Sequence, residues 1–233
     1  LKKTKGEIKI LEEELGQVDT EFDALLTAVP NIPSADTPSG ADESGNKILR
    51  QWGPPPAFNF KPKEHWELGE QLGVLEFEKA GVVSGTRFAY LKGAAALLEF
   101  ALIQFALSVL TDGGLLKKIA KKAGLSVPAK PFVPVVPPVL IRPEVFQKMA
   151  RLEPKEERYH IPSDDLYLIG SAEHTLGPLH MDETLNETDL PIRYVGFSTA
   201  FRREAGSYGK DTKGILRVHQ FDKVEMESFT VAE

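Results

Sequence analysis

Apolar residues at Ile8, Leu11, Leu15, Val18, Phe22, Leu25 and Val29 recur at alternating intervals of three and four, and Pro30 closes the run. A helix turns once every 3.6 residues, so this seam occupies one narrow side and must be covered by a second helix. The proline ring removes a backbone donor and clashes with the preceding turn, which ends the helix there. No other stretch of the sequence repeats the pattern. The expected partner is a second copy or an upstream helix; a helix lying on the chain's own globular part is the weaker alternative, because the stripe is narrow. Pro30, Pro33, Pro38, Pro54, Pro55, Pro56 and Pro62 then stand among Ser, Gly and Asp and mark a linker. Inside it, residues 46–52 are expected as one short strand, and the globular part is expected to begin near Lys63.

The chain has 233 residues, 42% of them hydrophobic, enough for a real core. Its 28 basic against 34 acidic side chains leave a net charge of −6. That balance excludes a uniformly basic nucleic-acid binder but permits local basic patches. The absence of cysteine excludes disulfides, thiolate zinc sites and cysteine nucleophiles, and fits a reducing cytosol. Leu1 leads directly into a charged helix, so no secretory leader is expected. The most apolar stretch, 94–110, is interrupted by Glu99 and Gln104 and ends at Thr111-Asp112-Gly113-Gly114. It reads as too short and too polar for a bilayer, and as a buried or interface helix with no membrane partner.

Along the body, 66–70 reads as a helix, 84–91 as a strand, and 132–141, crowded with prolines, as an edge or interrupted strand. Lys117, Lys118, Lys121 and Lys122 form one basic helical face, read as solvated rather than as a nucleic-acid contact. Farther on, the strand at 166–169 is expected to continue into Ser171-Ala172-Glu173, with Ser171 and Glu173 on one face. A strand over 193–204 would place Arg202 and Glu204 on one face. After the loop at 206–214, a third strand would align Arg217, His219, Phe221, Lys223 and Glu225. Charges interleaved with one aromatic make a poor core but a usable ligand platform: a guanidinium holds phosphate, a ring stacks on a base, a carboxylate takes an ammonium or hydroxyl. A solvated hairpin face is the commoner use of such a pattern, and periodicity names no ligand. His174, His180, Asp182 and Glu183 match no familiar zinc spacing, so no metal site is assigned; His65 beside Trp66 reads as structural.

As text, the C-terminal residues are more specific. Phe201-Arg202-Arg203-Glu204-Ala205-Gly206-Ser207, Gly214, and Arg217-Val218-His219-Gln220-Phe221-Asp222-Lys223-Val224-Glu225 closely resemble motif 2 of bacterial-type seryl-tRNA synthetases. Ser171-Ala172-Glu173 resembles that family's Thr-Ala-Glu serine-recognition triplet, and Leu179-His180 with Glu183 and Leu185 fits the segment after it. Pro137-Pro138 ends what looks like the motif 1 strand, and Pro62–Gly69 with Ser84-Gly85-Thr86-Arg87-Phe88 matches the family's lead-in. The heptad helix ending at Pro30-Asn31-Ile32-Pro33 resembles the returning helix of the tRNA-binding arm. The likeness covers nearly the whole chain.

The resemblance implies an α+β fold: an antiparallel-sheet class II synthetase core flanked by helices at 63–233, with motifs 1 and 2 only. A partial coiled-coil arm at 1–30 and a linker at 31–62 would precede it. It implies a cytoplasmic, homodimeric serine–tRNA ligase using ATP and Mg2+, with serine and serine tRNA as substrates and selenocysteine tRNA as an optional one. Arg202 would act catalytically on the α-phosphate, with Arg203, Glu204, Val218 and Phe221 completing the ATP site. Ser171, Ala172, Glu173 and Glu225 would bind serine. Motif 3, its arginine and the first arm helix have no counterpart between Leu1 and Glu233, so an internal piece that catalyses weakly alone is expected. Residues 113–130 look like an insertion, and 148–162 replace a Gly-rich loop with Lys-, Glu- and Arg-rich text. A non-catalytic synthetase-like scaffold for binding or dimerisation is the alternative, and the family's carrier-protein ligase offshoot is disfavoured by the heptad helix and missing cysteines. Ser171 stands where the family has Thr, which keeps the hydroxyl and removes a methyl. Ser171→Thr is therefore expected to change serine affinity by less than about threefold, as read by substrate kinetics; a large gain would contradict this.

Overall fold

The computed structural model describes residues 2–205 and 213–231. It divides into two compact units, 1–62 and 63–233. In the first, α1 (Lys2–Ala28) runs until just before Pro30. Its seam residues Ile8, Leu11, Leu15, Val18, Phe22 and Leu25 are all exposed. Lys3–Glu7 and Lys9–Glu13 pairs lie one turn apart along it; such exposed pairs add only about 0.3–0.5 kcal/mol each. The strand expected at 46–52 does not form: the only regular piece after α1 is a single 3-10 turn, Glu43–Gly45, capped by the Asp42 side chain. A lone strand has no neighbour to take its backbone hydrogen bonds, so the sequence cue had nothing to act on.

The second unit begins with α2 (His65–Gln71), β1 (Leu75–Glu76), α3 (Glu78–Ser84) and β2 (Tyr90–Leu91). The expected strand over 84–91 shrinks to its last two residues, because Ser84 closes α3 and Gly85 follows at φ 99°. β1 and β2 pair antiparallel. α4 (Ala94–Thr111) and α5 (Gly113–Lys122) follow, and the Asp112 side chain caps α5 by accepting from the Leu115 N–H. β3 (Val133–Val135) and β4 (Leu140–Ile141) are the two halves of the proline-interrupted stretch.

α6 (Pro143–Lys148) starts on a proline, whose missing N–H costs nothing in the first turn. β5 (Tyr159–Ile161) and β6 (Leu166–Leu168) join β4 in an antiparallel sheet of order β4-β6-β5. The other three-stranded sheet has the order β3-β7-β8, built on the antiparallel ladder of β7 (Ile192–Phe201) and β8 (Gln220–Phe229), with β3 added parallel to β7. Between them lies α7 (Glu173–Leu176). The sheets are stitched where Phe201 N–H donates to Ile169 O at 2.8 Å.

Two packing facts position the site. Phe146, fully buried, centres a core with Ile141, Val145, Leu152, Tyr167 and Ile169. The inward face of β7 is cut down to Gly196, Ser198 and Ala200, which lets α7 press against it. A Cβ on Gly196 would stand 2.5 Å from Leu176 Cδ1 and 3.3 Å from Ala172 Cβ. By contrast α4 buries none of its residues, so of the two expected alternatives, a buried or an interface helix, the buried one does not hold within this chain. Leu97, Leu98, Phe100, Leu102 and Phe105 are exposed, and by length and composition the helix is apolar enough to cross a membrane. Removing the central ring with Phe146→Ala is expected to cost about 3–5 kcal/mol in a urea unfolding titration, through lost burial and the cavity left behind.

Candidate functional site

The ladder pairs Gly196 with Glu225, Ser198 with Lys223 and Ala200 with Phe221. With period-two alternation, Phe221, Lys223 and Glu225 therefore share the face carrying these small residues. This part of the expected platform forms on β8. Arg217 and His219 precede the strand, which begins only at Gln220, and β7 ends at Phe201, before Arg202 and Glu204. Ser171 and Glu173 are not on a strand either: β6 stops at Leu168 and Glu173 opens α7. The strand continuations failed because turns took over at the sheet edge. Glu204 has φ 51°, a left-handed conformation no strand contains.

These turns nevertheless bring most of the expected residues together. One cavity of about 420 Å³ is lined by Arg151, Glu157, Arg158, Ser171, Glu173, His174, Arg202, Glu204 and Arg217. A neighbouring cavity of about 460 Å³ shares Arg202, Glu204 and Arg217 and adds Ile215, Leu216, Val218 and Phe221. Arg202 stands at the junction. Its Nε donates to Gly170 O at 3.0 Å and its guanidinium lies 5.2 Å from the centre of the Phe221 ring. Arg202 N–H also donates to His219 O, and His219 Nδ1 meets Arg202 O at 3.0 Å, so its backbone is fixed as well.

On the lining of the first cavity, Lys223 Nζ donates to Ser171 Oγ at 2.9 Å, and Ser171 Oγ donates to Glu225 Oε2 at 2.6 Å. Burial pushes the Glu225 carboxyl up, but the hydrogen bonds from Lys223 and Ser171 and the Lys223 charge outweigh it and hold the group below its usual value. Glu227, one step farther on the same face, is pushed up by burial and by the charges of Glu173 and Glu225. Ala172 is fully buried, its methyl against the strand. On the same lining, Arg217 Nη1 donates to Glu204 Oε2 at 3.1 Å and Arg87 Nη1 donates to Glu204 O at 2.9 Å. Arg203 lines neither cavity: consecutive residues in extended chain point apart, and its guanidinium sits over the Tyr159 ring at 5.3 Å. The loop between Glu204 and Arg217 falls partly on 206–212, outside the described residues.

The structure adds residues that were not among the expected site residues. Arg151 and Arg158 enter the cavity from the charged segment after α6, and only the topology brings that segment to the sheet. Arg87 grips the turn at Glu204 across more than a hundred residues of chain. His65 Nε2 accepts from Ile215 N–H at 3.1 Å, and Gly214, at φ 84°, leaves room for it: a Cβ there would fall 2.0 Å from His65 Nε2. His180 bonds Glu183 at 2.8 Å and the Tyr194 hydroxyl at 2.9 Å. Among the described residues no three His, Asp or Glu side chains are grouped to hold a metal ion.

The arrangement is polar, with arginines and glutamates interleaved and a ring beside a fixed guanidinium. It can neutralise a polyanion, stack a planar base and accept an ammonium. Residues 156–233 match the tRNA synthetase class II core domain of the G, H, P, S and T enzymes. The chain is 46% identical over 224 residues to the serine–tRNA ligase of Acidothermus cellulolyticus, a match covering 96% of this chain and 49% of that protein. It is 42% identical to that of a Geobacillus species, over 97% of this chain and 50% of the relative. The chain thus spans about half the length of the curated relatives it matches. Its fold superposes on the seryl-tRNA synthetase of Pyrococcus horikoshii complexed with ATP (TM-score 0.76, 37% identity, 93% of this chain and 49% of that one). It superposes equally on the cytoplasmic enzyme of Naegleria fowleri in complex with AMP (TM-score 0.76, 32% identity, 94% of this chain and 48% of that one).

His174 yields a measurable consequence. It lines the cavity yet is buried, its Nδ1 accepts from Gly170 N–H at 3.1 Å, and its ring lies 4.7 Å from that of Phe146. Burial, then the charges of Arg158, Arg151, Arg202 and Lys223, lower its pKa from 6.5 to about 4. Between those values the unfolded chain binds a proton that the folded chain refuses, so stability is full above pH 6.5 and falls on acidification toward pH 4. A loss on the order of 3 kcal/mol is expected across that window, and His174→Asn, which keeps an acceptor near Nδ1, is expected to flatten it in pH-dependent urea unfolding.

Proposed function

Because the chain belongs to the class II seryl-tRNA synthetases, we propose that it carries serine- and ATP-binding residues of a cytoplasmic serine–tRNA ligase. In that reaction the serine carboxylate attacks the α-phosphorus of ATP, pyrophosphate leaves, and the seryl group then passes from AMP to a terminal ribose hydroxyl of serine tRNA. The observation that carries the reading is Arg202: it lines both cavities and is fixed by Gly170 O and Phe221 at their junction.

Attack of one anion on another is slow unless charge is neutralised where it accumulates, and a guanidinium already held in place does this without reorganising. The proposed roles are those that the family resemblance implies. Phe221 stacks the adenine, Glu204 and the Val218 backbone hold its edge, and Arg217 faces the phosphates. Ser171 and Glu173 receive the serine ammonium, and Glu225 the side-chain hydroxyl. Alanine offers no hydroxyl to the partly buried Glu225 carboxylate, so it would forfeit a hydrogen bond as well as contact area. Mg2+ enters on the phosphates of ATP.

In the same reading α1 is a helix of the tRNA-binding arm, residues 31–62 are linker and 63–233 are catalytic core. The exposed apolar face of α4 supports a homodimer in which a second copy covers it. Calorimetric titration with a non-hydrolysable seryl-adenylate analogue, and with its threonyl and alanyl counterparts, tests the assignment. Serine-selective binding is expected, weakened about tenfold to a hundredfold by Arg202→Ala. Equal affinity for all three analogues, or none, would favour a non-catalytic scaffold.

A further inference from the structure

Glu173 opens α7 at the floor of the first cavity, and its carboxylate is met by Arg151. Arg151 arrives from the turn after α6, where Ala150 takes a left-handed φ of 51° and the buried Leu152 anchors the chain beyond it. The approach is one-sided. Arg151 Nε and Nη2 both donate to the same oxygen, Oε1, at 3.3 and 3.0 Å, and among the described residues no donor reaches Oε2. The Arg151 backbone carbonyl accepts from Arg158 Nε at 2.8 Å, and the Arg158 guanidinium lies over the Phe146 ring, so the segment is tied to the core independently of the Arg151 side chain.

The two side chains are 49% and 34% exposed. A pair that wet contributes little to folding, so its consequence lies in where it holds the carboxylate. We infer that Arg151 is a positioning residue for an ammonium subsite: it fixes Glu173 through one oxygen and leaves the other to accept the amino group of the substrate. The inference rests on the reading of Glu173 as the acceptor of the serine ammonium. Arg151 also repels an ammonium, but water reaching the half-exposed pair screens that repulsion. A free glutamate would instead have to freeze its side-chain torsions at each binding event.

The test titrates the intact protein, wild type, Arg151→Ala and Arg151→Lys, with three probes: a non-hydrolysable seryl-adenylate analogue, the same analogue lacking its amino group, and ATP. Arg151→Ala is expected to weaken the seryl analogue about tenfold while leaving the deaminated analogue and ATP unchanged. Arg151→Lys, which keeps the charge but not the paired donors, is expected to recover part of the loss. Unchanged or tighter seryl binding by Arg151→Ala overturns the inference, as does an equal loss for the deaminated probe, which would mark a merely structural role. Wild-type protein that binds no seryl analogue removes the functional reading and this inference together, whereas wild-type binding indifferent to Arg151 removes only the inference. Circular dichroism is expected to be the same for all three proteins, since the Arg158 bond uses the backbone of residue 151.

Discussion

The ten paired positions between β7 and β8 fix the geometry of everything around the cavities. Antiparallel pairing sets which side chains stand opposite one another, and a slip by one residue would turn every one of them to the wrong face. Here the register sets Gly196, Ser198 and Ala200 against Glu225, Lys223 and Phe221. One strand gives up side-chain volume and the other carries the chemistry. The space released on β7 is taken by Ala172 and Leu176, which carries Ser171 and Glu173 to the charged residues of β8. A larger residue at 196 would push α7 away and separate Ser171 from Glu225, whose hydrogen bond is 2.6 Å long.

Outside the ladder the site is made of strand ends and turns. Arg202 leaves β7 with its backbone bonded to His219 and its side chain bonded to Gly170, so a residue with no regular structure is held from several directions. Glu204 adopts its left-handed turn while Arg87 bonds its carbonyl and Arg217 its carboxylate. Such turns cost energy locally and persist where surrounding contacts over-determine them. They also let two side chains that no single strand could present line the same pair of cavities.

Charge balance gives the site its polarity. Arg151, Arg158, Arg202 and Arg217 surround a cavity that also receives Glu173 and Glu204. His174 stays neutral because burial and those cations oppose its proton. Neutrality lets Nδ1 accept from Gly170 N–H, which in turn sets the carbonyl group that orients Arg202 within reach of the same residue. A protonated His174 would lose that acceptor and place another cation among the arginines.

Local sequence determined the long amphipathic helix, its stop at proline, the proline-broken stretch divided between β3 and β4, and the alternation of Phe221, Lys223 and Glu225. Each follows from backbone period or ring sterics acting over a few residues. The motif around Arg202 and Phe221 is by itself enough to point to the family. The strands do not continue through Ser171–Glu173, to Glu204 or back to Arg217, because alternation in a sequence does not reveal where a sheet runs out of partners. Whether α4 is buried could not be read from its apolarity either, since apolar side chains are equally suited to an interior and to an uncovered face. Only the tertiary structure joined Arg151, Arg158 and Arg87 to the site. Their contacts span 22 residues from Arg151 to Glu173 and 117 from Arg87 to Glu204, distances over which no local propensity acts and only the packing of sheets and turns can choose a partner.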